Sequence, residues 1–192
     1  MAADYQMTIN FSSALFKALL EYLKPQKNEK ILDIGCNEGY YVKRIEDYTE
    51  NVLGIDASER AVREAVTSKV EIGDAISLRF ESESFDKIYS LNVIEHMSDV
   101  SKFLSEATRV LKTGGEMIIV YPMEPVRGIQ AIWPAIRNYG NPFLAGKIHL
   151  HRLTPSKIKK IIIGTSLRHI DSRFVFGLTE FHYITILKKM RV

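Results

Sequence analysis

The apolar positions of this chain recur with two periods, one typical of helices and one typical of strands. Residues 10–23 carry apolar side chains three and four positions apart, which predicts a helix that ends before Pro25. Short apolar runs predict five strands, at 30–34, 52–56, 69–75, 84–93 and 116–122. Helical spacing predicts the intervening helices, at 38–47, 57–66 and 99–112. Strands that alternate with helices in this way indicate a doubly wound α/β sheet.

The regular alternation stops after residue 122. Residues 123–153 contain three prolines and the only tryptophan, which indicates an insertion that is partly helical around 128–138. A helix at 155–163 follows, and then two strands at 167–177 and 182–190. We expect one domain over residues 1–192. Its predicted parts are an N-terminal helical cap at 1–27, a cofactor-binding core at 28–122, an insertion at 123–153 and a C-terminal helix and strand pair at 154–192.

Charge and cysteine content limit the function classes. A formal net charge of +3 is too small to indicate a nucleic-acid partner. The excess positive charge lies in residues 123–153, which contain four basic residues and a single acidic residue, Glu124. Cys36 is the only cysteine, so an internal disulfide is impossible and a reducing compartment fits. Neither a secretory signal pattern nor a membrane-spanning apolar run is visible. We therefore expect a cytoplasmic protein.

The stretch EKILDIGCNEGYYVKRI at 29–45 has the layout of a nucleotide-binding loop. A buried strand leads into a turn with Gly35 and Gly39, and a helix begins there. Asn37 stands where the dinucleotide fingerprint has its second glycine, and Glu38 would repel a pyrophosphate at the helix N-terminus. The loop therefore favours a nucleotide without phosphates over a dinucleotide such as NAD.

Five motifs in order then resemble the class I S-adenosylmethionine-dependent methyltransferases, in the small-molecule group related to ubiquinone biosynthesis. They are ILDIGCNEG, VLGIDAS, IGDA, SFDKIYSLNVIEH and LKTGGEMIIVYP. The resemblance is strong over 28–122 and weak over 147–190. It implies a Rossmann-like sheet of seven mostly parallel strands with the last strand antiparallel and helices on both faces. It also implies S-adenosylmethionine as the cofactor and S-adenosylhomocysteine as the product.

The resemblance assigns cofactor contacts to residues at the strand ends. Asp33 would meet the methionine ammonium, Asp56 both ribose hydroxyls, and Asp74 the adenine amino group. Simpler roles stay open: a strand-end cap for Asp33, an N-cap for Asp56 and a turn residue for Asp74. The full predicted set is Asp33, Gly35, Cys36, Asn37, Gly39, Asp56, Ala57, Asp74, Ala75, Leu91 and Asn92.

The candidate catalytic residues are Glu95, His96, His149 and His151. A hydroxyl acceptor needs a base, and histidine can take a proton near neutral pH. Some relatives bind a divalent metal through an E-x-x-E-H block, but Asn92 replaces its first carboxylate here, so we expect no metal. Coordination by Glu95, His96 and one of the later histidines is the less favoured alternative. Another is that Glu95 and His96 only cap the following loop.

In this family, the insertion at 123–153 is the region that selects the acceptor. Here it is basic and apolar, which favours a lid over an anionic, partly hydrophobic small molecule; contact with a membrane surface is the less favoured alternative. We expect O-methylation, with carbon or nitrogen open. Methylation of RNA or protein is a competing hypothesis, although the Pro-Pro-aromatic block of amino-group nucleic-acid methyltransferases is absent. A catalytically inactive cofactor-binding relative is another, and the oligomeric state stays open.

Overall fold

The computed structural model describes residues 12–125, 131–176 and 181–191. The strands are β1 Ile31–Ile34, β2 Val52–Asp56, β3 Val70–Ile72, β4 Phe85–Leu91, β5 Leu111–Pro122, β6 Leu167–Phe176 and β7 Phe181–Lys189. The α-helices are α1 Ser13–Leu23, α2 Tyr40–Ile45, α3 Glu59–Arg63, α4 Val100–Val110, α5 Ile132–Tyr139, α6 Ala145–Ile148 and α7 Pro155–Ile161. Among the described residues, Ile94–His96 and Pro142–Leu144 form 3₁₀ turns.

The strands form one sheet in the order β3-β2-β1-β4-β5-β7-β6. Neighbouring strands from β3 to β5 are parallel, and β7 is antiparallel to both β5 and β6. The predicted mostly parallel sheet with an antiparallel last strand is therefore confirmed. Strand order runs in opposite directions from β1 and β4, and in such sheets ligands bind beyond the carboxyl ends of the strands at this switch point.

Apolar side chains fill both faces of the sheet. Leu32 and Ile34 of β1 pack with α4 and α7, whereas Ile31 packs with α1 and α2 on the opposite face. Successive strand residues point to opposite faces, so a strand buried on both sides reads as the continuous apolar run that the sequence contains. The predicted helices on both faces are confirmed. No helix within the described ranges is long and apolar enough to cross a membrane.

Several element boundaries differ from the prediction. The helix predicted to end at Lys112 ends at Val110, and β5 begins at Leu111 rather than at Glu116. Leu111 is fully buried and pairs with Phe85, and the register then shifts before Glu116 pairs with Lys87. Burial of Leu111 therefore draws it into the sheet, and the irregular residues between absorb the extra length as a bulge does.

The first predicted helix begins at Ser13 because Ser12 caps it, its hydroxyl accepting a hydrogen bond from the Leu15 N–H at 3.3 Å. The N-terminal part of that prediction lies outside the described residues. In the insertion, α5 covers the later part of the predicted 128–138 helix, and residues 126–130 are outside the described ranges.

Candidate active site

The glycine loop between β1 and α2 needs its two glycines for backbone shape and for space. Gly35 and Gly39 have φ angles of 80° and 76°. A Cβ on Gly35 would lie 2.3 Å from Cγ2 of Val93, and one on Gly39 would lie 2.5 Å from Cγ2 of Val70. Asn37 has φ 49°, the left-handed region that asparagine tolerates best among the larger residues, so the loop forms without the usual glycine.

Asp33 is a buried carboxylate at the edge of a pocket open to solvent. Its side chain is 2% exposed, and Oδ1 has no hydrogen-bond partner among the described residues. Burial raises the pKa of Asp33 well above its usual value, the nearby Tyr89 hydroxyl opposes this rise and the charge of Asp56 adds to it. The pocket is lined by Asp33, Gly35, Cys36, Asn37, Tyr40, Tyr41 and Leu91. A cationic group placed there would relieve the cost of the buried carboxylate.

Asp56 joins the glycine loop to the turn after β2. Its Oδ2 accepts a hydrogen bond from the Asn37 N–H at 2.7 Å, and its Oδ1 accepts one from the Ser58 N–H at 2.9 Å. Ser58, not Asp56, caps α3, since its hydroxyl accepts from the Ala61 N–H at 3.2 Å. The carboxylate keeps lone pairs for a ligand. Ala57, beside it, is exposed.

The predicted adenine contacts Asp74 and Ala75 follow β3. Asp74 is exposed, and its Oδ1 accepts a hydrogen bond from the Ile76 N–H at 3.0 Å, which is the turn role left open by the sequence. Ala75 packs against the core on the α4 side of the sheet. Asn92 has φ 55°, and its buried Oδ1 has no partner in the part of the chain described. Asn92 therefore offers an acceptor next to Leu91 of the pocket.

The 3₁₀ turn after β4 carries the first half of an acid and histidine cluster. Glu95 is 1% exposed, and neither carboxylate oxygen has a partner within the described ranges. Burial raises the pKa of Glu95 to about 8, and the charge of Glu124 adds to this. His96 donates its Nδ1–H to the Ile148 carbonyl at 2.8 Å, and its Nε2 lies 3.7 Å from Oε1 of Glu95. Burial lowers the pKa of His96 to about 4, so its ring is neutral at pH 7.

His149 and Glu124 complete the cluster. The Nδ1–H of His149 donates to Oε1 of Glu124 at 2.8 Å, and both side chains are buried. The ring centroids of His149 and His96 are 5.1 Å apart, edge to face. Sequence patterns alone do not indicate Glu124 as a site residue. The available signal was its place just past the carboxyl end of β5, the edge where ligands bind in such sheets.

His151 has a different environment from His149. Its Nε2–H donates to the Met97 carbonyl at 2.8 Å, and its backbone N–H donates to the Glu95 carbonyl at 3.2 Å. The segment 149–154 is not a strand, so no strand face presents the two histidines together. The hydrogen bonds of His151 hold the loop after β4.

Glu95, His96 and His149 could hold a metal ion. Each offers one ligand atom, and these atoms all lie within 4.8 Å of one another. Two imidazoles and one carboxylate suit zinc or another transition metal better than magnesium, which prefers oxygen ligands. The hydrogen bonds from His149 to Glu124 and from His96 to Ile148 resemble the outer partners that orient metal-bound imidazoles.

Comparison with known proteins matches the β1–β5 region. The family model described as a methyltransferase domain matches residues 32–119. This matched segment is a little under half of the chain. The chain is 36% identical over 129 residues to the 2-methyl-6-phytyl-1,4-hydroquinone methyltransferase of Synechocystis sp., covering 62% of this chain and 40% of that protein. It is 32% identical over 103 residues to the ubiquinone biosynthesis O-methyltransferase of Pelagibacter ubique, covering 50% and 43%.

Solved structures share the fold of this chain at low sequence identity. A chain of the complex between the Haloferax volcanii Trm112 methyltransferase activator and a methyltransferase superposes with a TM-score of 0.75 at 16% identity, covering 93% of this chain and 90% of that one. The S-adenosylmethionine-dependent methyltransferase of Mesorhizobium loti gives a TM-score of 0.74 at 16% identity, covering 93% and 99%. These similarities show the fold alone.

The sequence matches cover only part of this chain and part of each relative. The alignments to the first curated relatives cover about two fifths of those proteins' length. The family match includes Asp33, Asp56 and Glu95 but ends before Glu124 and His149. The glycine-loop pocket offers Oδ1 of Asp33, which is buried, has no hydrogen-bond partner among the described residues and could accept from an ammonium group; a side chain at Gly35 would collide with Val93.

Proposed function

We propose that this chain transfers the methyl group of S-adenosylmethionine to a hydroxyl oxygen of a small, partly hydrophobic acceptor. The observation that carries the proposal is the buried Asp33 carboxylate in the glycine-loop pocket, on the same sheet edge as the Glu95, His96 and His149 cluster. The relative named as a ubiquinone biosynthesis O-methyltransferase supports a hydroxyl oxygen as the accepting atom, and the relative named for a hydroquinone supports an aromatic acceptor.

The cofactor contributes a methyl group on a sulfonium, which is already a good leaving group. The chain therefore has to bind the cofactor and the acceptor, orient them towards each other and exclude water. Asp33 would bind the methionine ammonium, since that contact pairs a carboxylate that is costly to bury alone. Asp56 would accept from the ribose hydroxyls with its remaining lone pairs. Gly35, Cys36, Asn37 and Gly39 supply the close backbone wall, and Leu91 and Asn92 the opposite one. Asp74, with Ala57 and Ala75, remains the proposed adenine side.

His149 would act as the general base. Its Nδ1–H is committed to Glu124, so its Nε2 carries the lone pair that takes the acceptor proton, and the buried carboxylate stabilises the imidazolium that forms. Glu95 is protonated at neutral pH because its pKa is about 8, and it therefore does not compete for that proton. The low pKa of His96 makes it a weaker base. His151 would hold the loop beneath the acceptor.

A divalent cation is the alternative to a base. The close grouping of one ligand atom from each of three side chains supports this alternative. Glu95, His96 and His149 would hold the ion, which would lower the pKa of the acceptor hydroxyl. Glu95 would have to lose its proton, so ion binding would weaken as pH falls below about 8.

Titration calorimetry tests the cofactor half of the proposal. We expect S-adenosylmethionine and S-adenosylhomocysteine to bind and NAD not to bind. Asp56→Ala should weaken binding by about 1.5–3 kcal/mol because a hydrogen-bond acceptor is removed. The exposed Glu71→Gln on β3 is the matched control and should bind as the parent does. Absence of binding by the folded parent would sink the proposal and leave an inactive relative.

Turnover assays with a soluble hydroquinone test the acceptor half. His149→Ala should lower kcat while leaving S-adenosylhomocysteine affinity unchanged, and Glu124→Gln should do so more mildly. Chelator treatment separates the two mechanisms: activity that survives EDTA favours the base, and activity restored only by added zinc or manganese favours the ion. Equal kcat in His149→Ala and parent would remove His149 from either mechanism.

A further inference from the structure

The insertion exposes large apolar side chains that the fold leaves uncovered. Trp133 is 73% exposed and Phe143 is 91% exposed. Ala135 of α5 and the preceding Ala131 are buried and pack against α6. The inner face of the helix is therefore covered by other side chains, and the outer face is not. We call the outer face of α5 with the following 3₁₀ turn the α5 surface. Its exposed apolar residues are Ile132, Trp133, Ile136, Tyr139 and Phe143.

The sequence segment that contains the α5 surface is basic. Residues 125–170 contain eight arginines and lysines and no aspartate or glutamate, although the remainder of the chain has more acidic than basic residues. Arg137 on α5 and Lys147 on α6 are both exposed. A polar rim of cations around aromatic side chains matches an anionic interface, where tryptophan and phenylalanine enter the apolar boundary and cations meet the headgroups.

Two other occupants fit these observations less well. A lid closed on a small acceptor would turn its apolar side chains inward, but Trp133 and Phe143 are largely exposed. A second copy docked symmetrically through this face would bring two cationic surfaces together, because Arg137 and Lys147 are both exposed, and like charges oppose such a contact. An exposed apolar patch of this kind still marks an interaction site.

We propose that the α5 surface docks on an anionic phospholipid bilayer. Trp133 and Phe143 enter the boundary between headgroups and acyl chains, and Arg137 and Lys147 bind headgroup phosphates. The docked segment is directly continuous with the candidate active site, because α6 ends at Ile148, whose carbonyl binds His96, and His149 follows. This inference goes beyond the proposed function and does not depend on it.

Trp133 is the only tryptophan of the chain, so its fluorescence reports directly on this surface. We expect the emission of the full chain to shift to the blue with vesicles of phosphatidylcholine mixed with phosphatidylglycerol. Brominated acyl chains should quench it, and both effects should weaken with added salt. Pure phosphatidylcholine vesicles should give a much smaller effect.

Matched variants locate the contact. Phe143→Ser should weaken vesicle binding about fivefold to tenfold because it removes an inserted ring. Tyr48→Ser, at a 44% exposed aromatic residue just after α2, should bind as the parent does. The double variant Arg137→Glu and Lys147→Glu should lose the preference for anionic vesicles, whereas the exposed Arg63→Glu on α3 should keep it. Circular dichroism and S-adenosylhomocysteine affinity check that each variant is folded.

Three outcomes would overturn the inference. The emission of the parent chain could ignore anionic vesicles. It could shift with protein concentration alone, together with a dimer in light scattering, which would make a second copy the occupant. It could shift only when S-adenosylhomocysteine and a soluble hydroquinone are added, which would make the segment a lid. Vesicle binding by a chain that binds neither sulfur nucleotide would sustain this inference while the proposed function failed.

Discussion

Replacing Glu95 by glutamine should change how stability depends on pH. The folded chain holds the Glu95 proton up to about pH 8, whereas the same carboxyl in the unfolded chain releases it near 4.5. Between these pH values the folded state binds more protons than the unfolded state, so the free energy of unfolding falls as pH rises. One pKa unit corresponds to about 1.4 kcal/mol, so burial of this carboxyl costs about 4–5 kcal/mol of stability above pH 8.

Glutamine has nearly the same shape and does not titrate. The free energy of unfolding of Glu95→Gln minus that of the parent should therefore rise by up to about 1.4 kcal/mol per pH unit from about pH 4.5 to 8. It should be flat outside that window. Taking the difference between variant and parent removes the contributions of other groups. Among these are His96 and His182: burial lowers their pKa values to about 4, so they add stability as pH rises from about 4 to 6.5.

Urea unfolding followed by circular dichroism at intervals from pH 4 to pH 9, in the presence of EDTA, gives this difference directly. Glu71→Gln, exposed on β3, is the matched control and should show no such slope. A Glu95→Gln difference that stayed constant from pH 5 to 8 would refute the buried, protonated carboxyl. Repeating the series with added zinc tests the ion: if Glu95 is a ligand, the glutamine variant should lose stabilisation that the parent gains.

Two further predictions follow from the glycine loop. Gly35→Ala should destabilise the fold by about 2–5 kcal/mol and abolish S-adenosylhomocysteine binding, because φ of 80° strains alanine and its Cβ collides with Val93. The control Gly114→Ala, at a residue with a similar φ but no atom within 4 Å of the added Cβ, should cost only about 1 kcal/mol. Similar losses of unfolding free energy in the two variants, measured by urea unfolding, would contradict the collision. Cys36 should react slowly with iodoacetamide at pH 8 in the native chain and fast in urea, because burial raises the pKa of its thiol; equal rates would show an accessible thiolate.

The chain's own sequence determined the strand, loop and helix around Asp33. An apolar run makes β1 a buried strand. The turn that follows needs residues with left-handed backbone conformation, which Gly35, Gly39 and Asn37 can adopt. These are local requirements, so they are visible in the order of residues. The parallel sheet then brings Asp33 and Asp56 to one edge, since both residues end neighbouring parallel strands.

Tertiary structure decided what those residue types do. Glu124 and His149 are 25 positions apart, and no local spacing announces that they share a hydrogen bond. Asp74 has the right residue type for a ligand, and only the folded chain shows that its Oδ1 accepts a hydrogen bond within its own turn. His149 and His151 differ because one side chain faces Glu124 and the other the Met97 carbonyl.

Burial and exposure are also decided by tertiary structure, because both depend on which distant segments pack together. The high pKa of Glu95 comes from complete removal from water, which no residue beside it in the sequence dictates. Similarly, the sequence gives α5 its apolar side chains, but only the packing of Ala131 and Ala135 against α6 turns Trp133 outward. Local order thus specifies the cofactor loop, and long-range packing specifies the acid and histidine cluster and the exposed surface beside it.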